Sequence, residues 1–143
     1  MYCKQIYYSM NNIQFATAIH ILTMLAVTGD NLSSPYIAGS ININAAMVRK
    51  SLSILSAHGL VITREGKGGG ASLSKPANQI MISDIYRAVI DSPLLGKFNN
   101  PNPECNTGRQ INKHLQELYK QADNALIGKL TKITLADFCK NFK

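Results

Sequence analysis

Residues 34–75 read SPYIAGSININAAMVRKSLSILSAHGLVITREGKGGGASLSK. Ser34 followed by Pro35 suits an N-cap and a first helical turn, and it opens a short helix, YIAGSI, that stops near Ile41. Asn42, Ile43 and Asn44 read as a turn, and Asn44 then caps a helix over Ala45 to His58. In that helix Val48, Leu52 and Leu55 recur at helical spacing, while Arg49, Lys50, Ser53 and Ser56 fall elsewhere on the wheel; Gly59 is the stop. Beyond Gly59 the period changes. LVITR is short and β-branched, EGKGGG is a turn-rich tip, and ASLSK returns as a second strand before Pro76 closes it.

Upstream, Ile13 to Thr28 follows Asn11 and Asn12, which can cap it, and is apolar nearly all round, as for a helix buried on several sides; Gly29 and Asp30 end it. Helix, helix, helix, hairpin is the order of a winged helix-turn-helix. Downstream, a helix begins at Ser83 with Asp84 in its first turn and runs through IYRAVI. Pro93, Gly96, Asn99, Asn100, Pro101, Asn102 and Pro103 then make a long irregular, mobile loop. A helix of roughly six turns, Arg109 to Leu130, carries Ile111, Leu115, Leu118, Ala122, Ala125 and Leu126 on one stripe. That stripe is too long to bury on a small domain and asks for a partner. Thr134 caps a last short helix, LADFCKNF. The expected fold is mainly α with a small β-hairpin wing: a winged domain over residues 11–91, a loop over 92–108, and a dimerisation helix with a C-terminal helix over 109–143.

The chain has 143 residues, the size of one domain, and with 45% hydrophobic and 16% charged residues it can bury a core. Disorder and collagen-like repeats are excluded. Fifteen Lys and Arg against eight Asp and Glu leave +7, which asks for a polyanionic partner. Cys3, Cys105 and Cys139 are odd in number and widely spaced, so neither a disulfide framework nor a zinc ribbon is readable, and a reducing cytoplasm is the expected compartment. The apolar stretch Ile19 to Val27 is short and broken by His20 and Thr23, so no signal peptide or membrane span is expected.

A helix-turn-helix lays its second helix in the DNA major groove while the first touches the backbone. The candidates are Ser34 and Tyr36 on the first helix, Asn42 and Asn44 in the turn, and Met47, Arg49 and Lys50 on the reader; Arg forks onto guanine, Asn onto adenine, and Met makes apolar contact. Asn44 doubles as a cap. Exposed Arg and Lys are usually a solvated helix face, and it is the position of Arg49 and Lys50 after the turn that favours the DNA reading. In the hairpin tip, Arg64 and Lys67 supply charge, and four glycines in five residues, Gly66, Gly68, Gly69 and Gly70, let backbone approach a phosphate where a plain flexible hairpin needs one or two. Between Arg49 and Lys75 five cations stand against Glu65, so +4 of the +7 lies on this face. A phosphate-cradling enzyme loop is disfavoured, because no Gly-Lys-Ser/Thr and no helix start follows.

No catalytic or metal site is expected. His20, His58 and His114 are scattered, and His20 reads as a core histidine hydrogen-bonded to a neighbouring element.

The runs ATAIHILTMLA, IAGSININAAMVRKSLSILSAHGLV, REGKGGGASLSKP and IMISDIYRAVI together resemble the Rrf-two family of winged-helix transcription regulators, from about Asn11 to the C-terminus. The recognition helix ending in Gly-Leu-Val, followed by the GxGGG wing, is the most specific piece. The resemblance implies a homodimer in which Ile111, Leu115, Leu118, Ala122 and Leu126 pack against the twin helix, and two winged domains gripping a pseudo-palindromic double-stranded operator. Many members hold an iron–sulphur cluster on three cysteines in the loop before the long helix; here NNPNPECNTGRQI keeps only Cys105, so the chain resembles the cluster-free type and no cofactor is expected. Cys105, with Arg109 one turn on, is a candidate redox sensor, against the alternative of an unreactive surface thiol. Cys139, beside Phe138, reads as packing. The segment MYCKQIYYS precedes the family start, and Met10 stands where members commonly begin.

The expected function is a sequence-specific DNA-binding regulator, a homodimeric repressor answering a redox or metabolite signal, and not an enzyme. The alternative is a winged-helix protein-interaction scaffold that does not bind DNA specifically; a nucleotide-using enzyme ranks third.

Overall fold

A computed structural model describes residues 10–142; Cys3 and the rest of the leading segment lie outside the described residues. Six α-helices and one hairpin follow in order: α1 Met10–Thr28, α2 Ser34–Ile41, α3 Ala45–Ala57, β1 Val61–Arg64, β2 Gly70–Leu73, a 3-10 turn Ala77–Gln79, α4 Ile82–Val89, α5 Asn106–Leu130 and α6 Leu135–Cys139. Mainly α with a small hairpin wing is therefore the architecture.

Short-range capping sets most boundaries. Asn44 Oδ1 accepts the Met47 N–H at 2.9 Å and starts α3; Asp84 accepts the Met81 N–H at 3.0 Å and starts α4. Thr134 and Asp137 cap α6 reciprocally, at 3.0 and 3.1 Å. Several boundaries differ from expectation: α4 begins at Ile82 rather than Ser83, and α6 ends at Cys139 rather than Phe142. The N-cap of α2 is Ser33, whose Oγ accepts from Tyr36 N, so Ser34 is the first helical residue. Helix α1 already includes Asn11 and Asn12. Helix α5 begins at Asn106, because Cys105 Sγ accepts the Gly108 N–H at 3.4 Å and serves as the cap.

The core joins Ile21, Leu22 and Leu25 of α1, Ile37 of α2, Val48, Leu52 and Leu55 of α3, Leu60, Val61 and Ala71 of the hairpin, and Ile82, Ile85 and Val89 of α4. At about 25 cal/mol per Å² of apolar surface removed from water, this cluster is the main favourable contribution to folding. Helix α1 is buried along one broad face only: Ile13 and Val27 remain more than half exposed, so it is not enclosed all round. Helix α6 returns to the same core. Its Leu135 is fully buried, Leu135 N donates to Ile80 O at 2.8 Å, and Ile82 N donates to Ile133 O at 2.9 Å. The short helix thus completes the winged unit, although it follows α5 in the chain.

The connection from Ile90 to Cys105 has no regular structure but is tied along α5. Leu94 N donates to Asp123 Oδ1 at 3.0 Å, Asn112 Nδ2 donates to Asn99 O at 2.9 Å, and Phe98 stacks on Tyr119 with centroids 4.8 Å apart. No helix among the described residues is long and apolar enough to cross a membrane.

Candidate nucleic-acid interface

The exposed side of α3 presents Met47, Arg49 and Lys50, while Val48, Leu52 and Leu55 face the core. Packing of the buried stripe against α1 and α2 fixes the helix rotation and hence which residues face outward. Tyr36, on α2, is 61% exposed and Met47 is 48% exposed. Asn42 ends α2 in a left-handed conformation, φ 64°, with its N–H on Ala38 O. The Asn44 carbonyl oxygen is committed to its cap, which leaves the amide NH2 as its free donor.

A groove of about 500 Å³ runs between α2, α3 and the wing. It is lined by Ser34 and Pro35 of α2, Arg49 and Ser53 of α3, and Arg64, Gly66, Gly69 and Gly70 of the hairpin. It brings together residues from three elements that the sequence separates. Among the described residues Arg49, Lys50, Arg64 and Lys67 are in no ion pair; the one pair is Lys140 with Asp137 at 3.3 Å. Cations left without a carboxylate keep their full field for a polyanion.

The glycines of the tip have a structural origin that the sequence reading did not see. Gly66 and Gly68 have φ of 84° and 77°, and Gly70 has 147°, values that disfavour a side chain. A Cβ on Gly69 would collide with the Arg64 carbonyl oxygen, and one on Gly70 with that of Leu32. All four are therefore used by the turn and its packing, so the expectation that the hairpin itself needs one or two is corrected. Ser33, Ser53 and Thr63 also line the groove and were not singled out, because nothing local marks them.

Helix α5 has no buried residue: Ile111 is 38% exposed and Leu118 53%, with Leu115, Ala122 and Leu126 half-buried. The adjoining face, about a quarter-turn round, meets the connection through Asn112, Tyr119 and Asp123. The apolar stripe thus lies open along a helix about 37 Å long.

His20 is exposed and not in the core, since it stands on the side of α1 opposite the buried Ala18, Ile21, Leu22 and Leu25; its Nε2 does bond a neighbouring element, through Ser40 Oγ at 3.0 Å. His58 Nδ1 bonds Ile54 O at the end of α3. Cys105 is exposed, whereas Cys139 is half-buried and burial pushes its thiol up, the Thr23 hydroxyl opposing. The Arg109 Nη2 donates to Asn106 Oδ1 at 3.0 Å, next to Cys105 in the chain. Among the described residues no three His, Cys, Asp or Glu side chains gather as a metal site requires.

Three helices with an exposed cationic third helix, flanked by a glycine-tipped hairpin, define a winged helix-turn-helix protein. The Rrf2 family model, described as "Iron-dependent Transcriptional regulator", matches residues 12–141. The chain belongs to this family of transcriptional regulators. It is 35% identical over 129 residues to YwnA of Bacillus subtilis (strain 168), named for an HTH-type transcriptional regulator, covering 90% of this chain and 96% of that one. A crystal structure described as a DNA-binding protein is similar with a TM-score of 0.71 and 31% identity, over 87% of this chain and 97% of the other. CymR, the global cysteine regulator of B. subtilis, shares the fold with a TM-score of 0.67 and 20% identity, over 91% and 95% of the two chains.

Proposed function

We propose that this chain is a homodimeric repressor that binds a pseudo-palindromic duplex operator, working in the cytoplasm and catalysing no reaction. The observation that carries the reading is the groove in which Arg49 of α3 and Arg64 of the wing come together, unpaired, beside the start of α2. Such a groove accepts a phosphate backbone at its walls while Met47, Arg49 and Lys50 reach base edges. Counterion release then supplies most of the affinity. The open stripe Ile111, Leu115, Leu118, Ala122 and Leu126 supports pairing with a second copy, which places two reading helices on one duplex by two-fold symmetry.

The family description names iron, and the donors here do not fit a protein-held iron or iron–sulphur centre. Among the described residues only two thiols are present, Cys105 exposed at a helix cap and Cys139 half-buried on α6, with no further ligands gathered at either. In this reading no cluster carries the signal, and Cys105, at the junction of the tied connection and α5, is the candidate redox sensor.

The test is binding of the full chain to duplex from its own upstream region against scrambled duplex, with reductant and after mild oxidant. Preference for its own duplex, weakened by oxidant, supports the whole reading. Preference indifferent to oxidant keeps the repressor and removes Cys105 as sensor, and equal binding to both duplexes overturns the operator reading.

A further inference from the structure

Asn31 stands in the connection between α1 and α2, outside the residues assigned to the reading face. Its Nδ2 donates to the carbonyl oxygen of Gly68 at 3.1 Å, reaching the tip of the wing. Beside it Leu32 and Ala71 form a two-way bridge, N to O at 2.9 and 2.8 Å, so the connection runs as a short third rung along β2. Gly70 allows the approach, because a Cβ there would strike the Leu32 carbonyl and come within 3.1 Å of Asn31 Nδ2. The rung holds the base of the wing, since Ala71 is fully buried and Leu32 half-buried.

Beyond that rung the tip has little to hold it. Gly66 and Gly68 have open space around them, and Arg64, Glu65 and Lys67 are exposed. Among the described residues the Asn31 bond is the one hydrogen bond joining the tip to anything outside the hairpin. Gly68 neighbours Lys67, so the same bond restrains the backbone from which Lys67 projects. We propose that Asn31 is a positioning residue for the wing, one that holds the tip carrying Lys67 in place before duplex is met. The proposal rests on the DNA reading above. Its physical basis is preorganisation: a tip already held in place loses less freedom on binding.

The experiment is a double-mutant cycle with the full chain and duplex from its own upstream region, read by fluorescence anisotropy, with thermal melts of every variant. Asn31→Ala is expected to weaken binding about fivefold, the scale of one hydrogen bond, with an unchanged melting temperature. Lys67→Ala is expected to cost less on the Asn31→Ala background than in the wild type, because the charge it removes is no longer held at the duplex. Arg49→Ala, on the separately anchored α3, is expected to add its full cost on either background. If Asn31→Ala binds like the wild type, or if Lys67→Ala costs the same on both backgrounds, Asn31 does not position the wing. A variant weakened through loss of fold lowers the melting temperature and shows no coupling to Lys67, which also overturns the proposal. A wild-type chain that does not distinguish its own duplex from scrambled duplex sinks the DNA reading itself, and that appears in the first titration, before any variant is compared.

Discussion

The ring of Phe98 lies on that of Tyr119, centroids 4.8 Å apart and planes 28° from parallel, and so clips the long connection to α5. Together with the Leu94–Asp123 and Asn112–Asn99 hydrogen bonds it makes a strap of a segment whose composition reads as a mobile loop. Aromatic pairs contribute about 0.5–1.5 kcal/mol beyond area burial. Phe98→Ala is expected to cost about 1 kcal/mol and to speed cleavage between residues 92 and 105 in limited proteolysis, with the winged unit intact. Equal cleavage rates in variant and wild type would contradict the strap.

Arg49 and Lys67 predict two different signatures. Arg49→Ala is expected to lose about 1–3 kcal/mol and to narrow the gap between specific and scrambled duplex. Lys67→Ala should weaken both duplexes alike and reduce the log–log salt slope by about two, one for each subunit of the dimer. Titrations at several salt concentrations distinguish them, and an unchanged slope for Lys67→Ala would remove it from the phosphate contacts.

Leu118 is 53% exposed on a helix with no buried residue. Leu118→Glu is expected to turn a dimer into a monomer in sedimentation velocity and to weaken operator binding by about a hundredfold through loss of bivalency. A monomeric wild type would instead remove pairing through this stripe.

The two described thiols differ in access. Cys105 is exposed and Cys139 is half-buried with its thiol held above the ordinary range by burial. Alkylation near neutral pH, followed by peptide mass spectrometry, is expected to mark Cys105 well before Cys139. Cys105→Ser should keep operator binding and abolish its loss on oxidation; a variant that still responds to oxidant would acquit Cys105.

The cap of α6 predicts a pH dependence. The Asp137 carboxyl is held below its ordinary value by the Thr134 backbone N–H, then the Thr134 hydroxyl and Lys140. A carboxyl whose folded value is lowered binds its proton more weakly when folded. Its stabilisation is present above the unfolded-chain value, near 3.8, and is lost as pH falls through the folded one. Thr134→Ala removes the capping oxygen and is expected to cost about 1 kcal/mol near neutral pH, read by urea denaturation. In Asp137→Asn the acid-side loss of stability should begin less steeply than in the wild type.

Much of the site was legible because its signals are local. Asn44 and Thr134 cap helices three residues away, and the Val48, Leu52 and Leu55 stripe fixes by subtraction that Met47, Arg49 and Lys50 face outward. Where a cap was misplaced, at Ser34 and at the start of α5, two adjacent residues offered the same chemistry, or a cysteine took the role usually filled by an oxygen.

What the sequence alone determined is therefore the order of elements, the capped starts of α3 and α6 and the identity of the cationic face, since all three follow from spacings within a turn or two of chain. Tertiary structure decided what depends on distant segments meeting: Asn31 on Gly68 across 37 positions, Leu135 inserted into a core built by α1 and α4, His20 left outside it, and the strap drawn onto Tyr119. No local pattern encodes these contacts, because a hydrogen bond or ring stack between elements exists only after hydrophobic packing has set their mutual angle and distance.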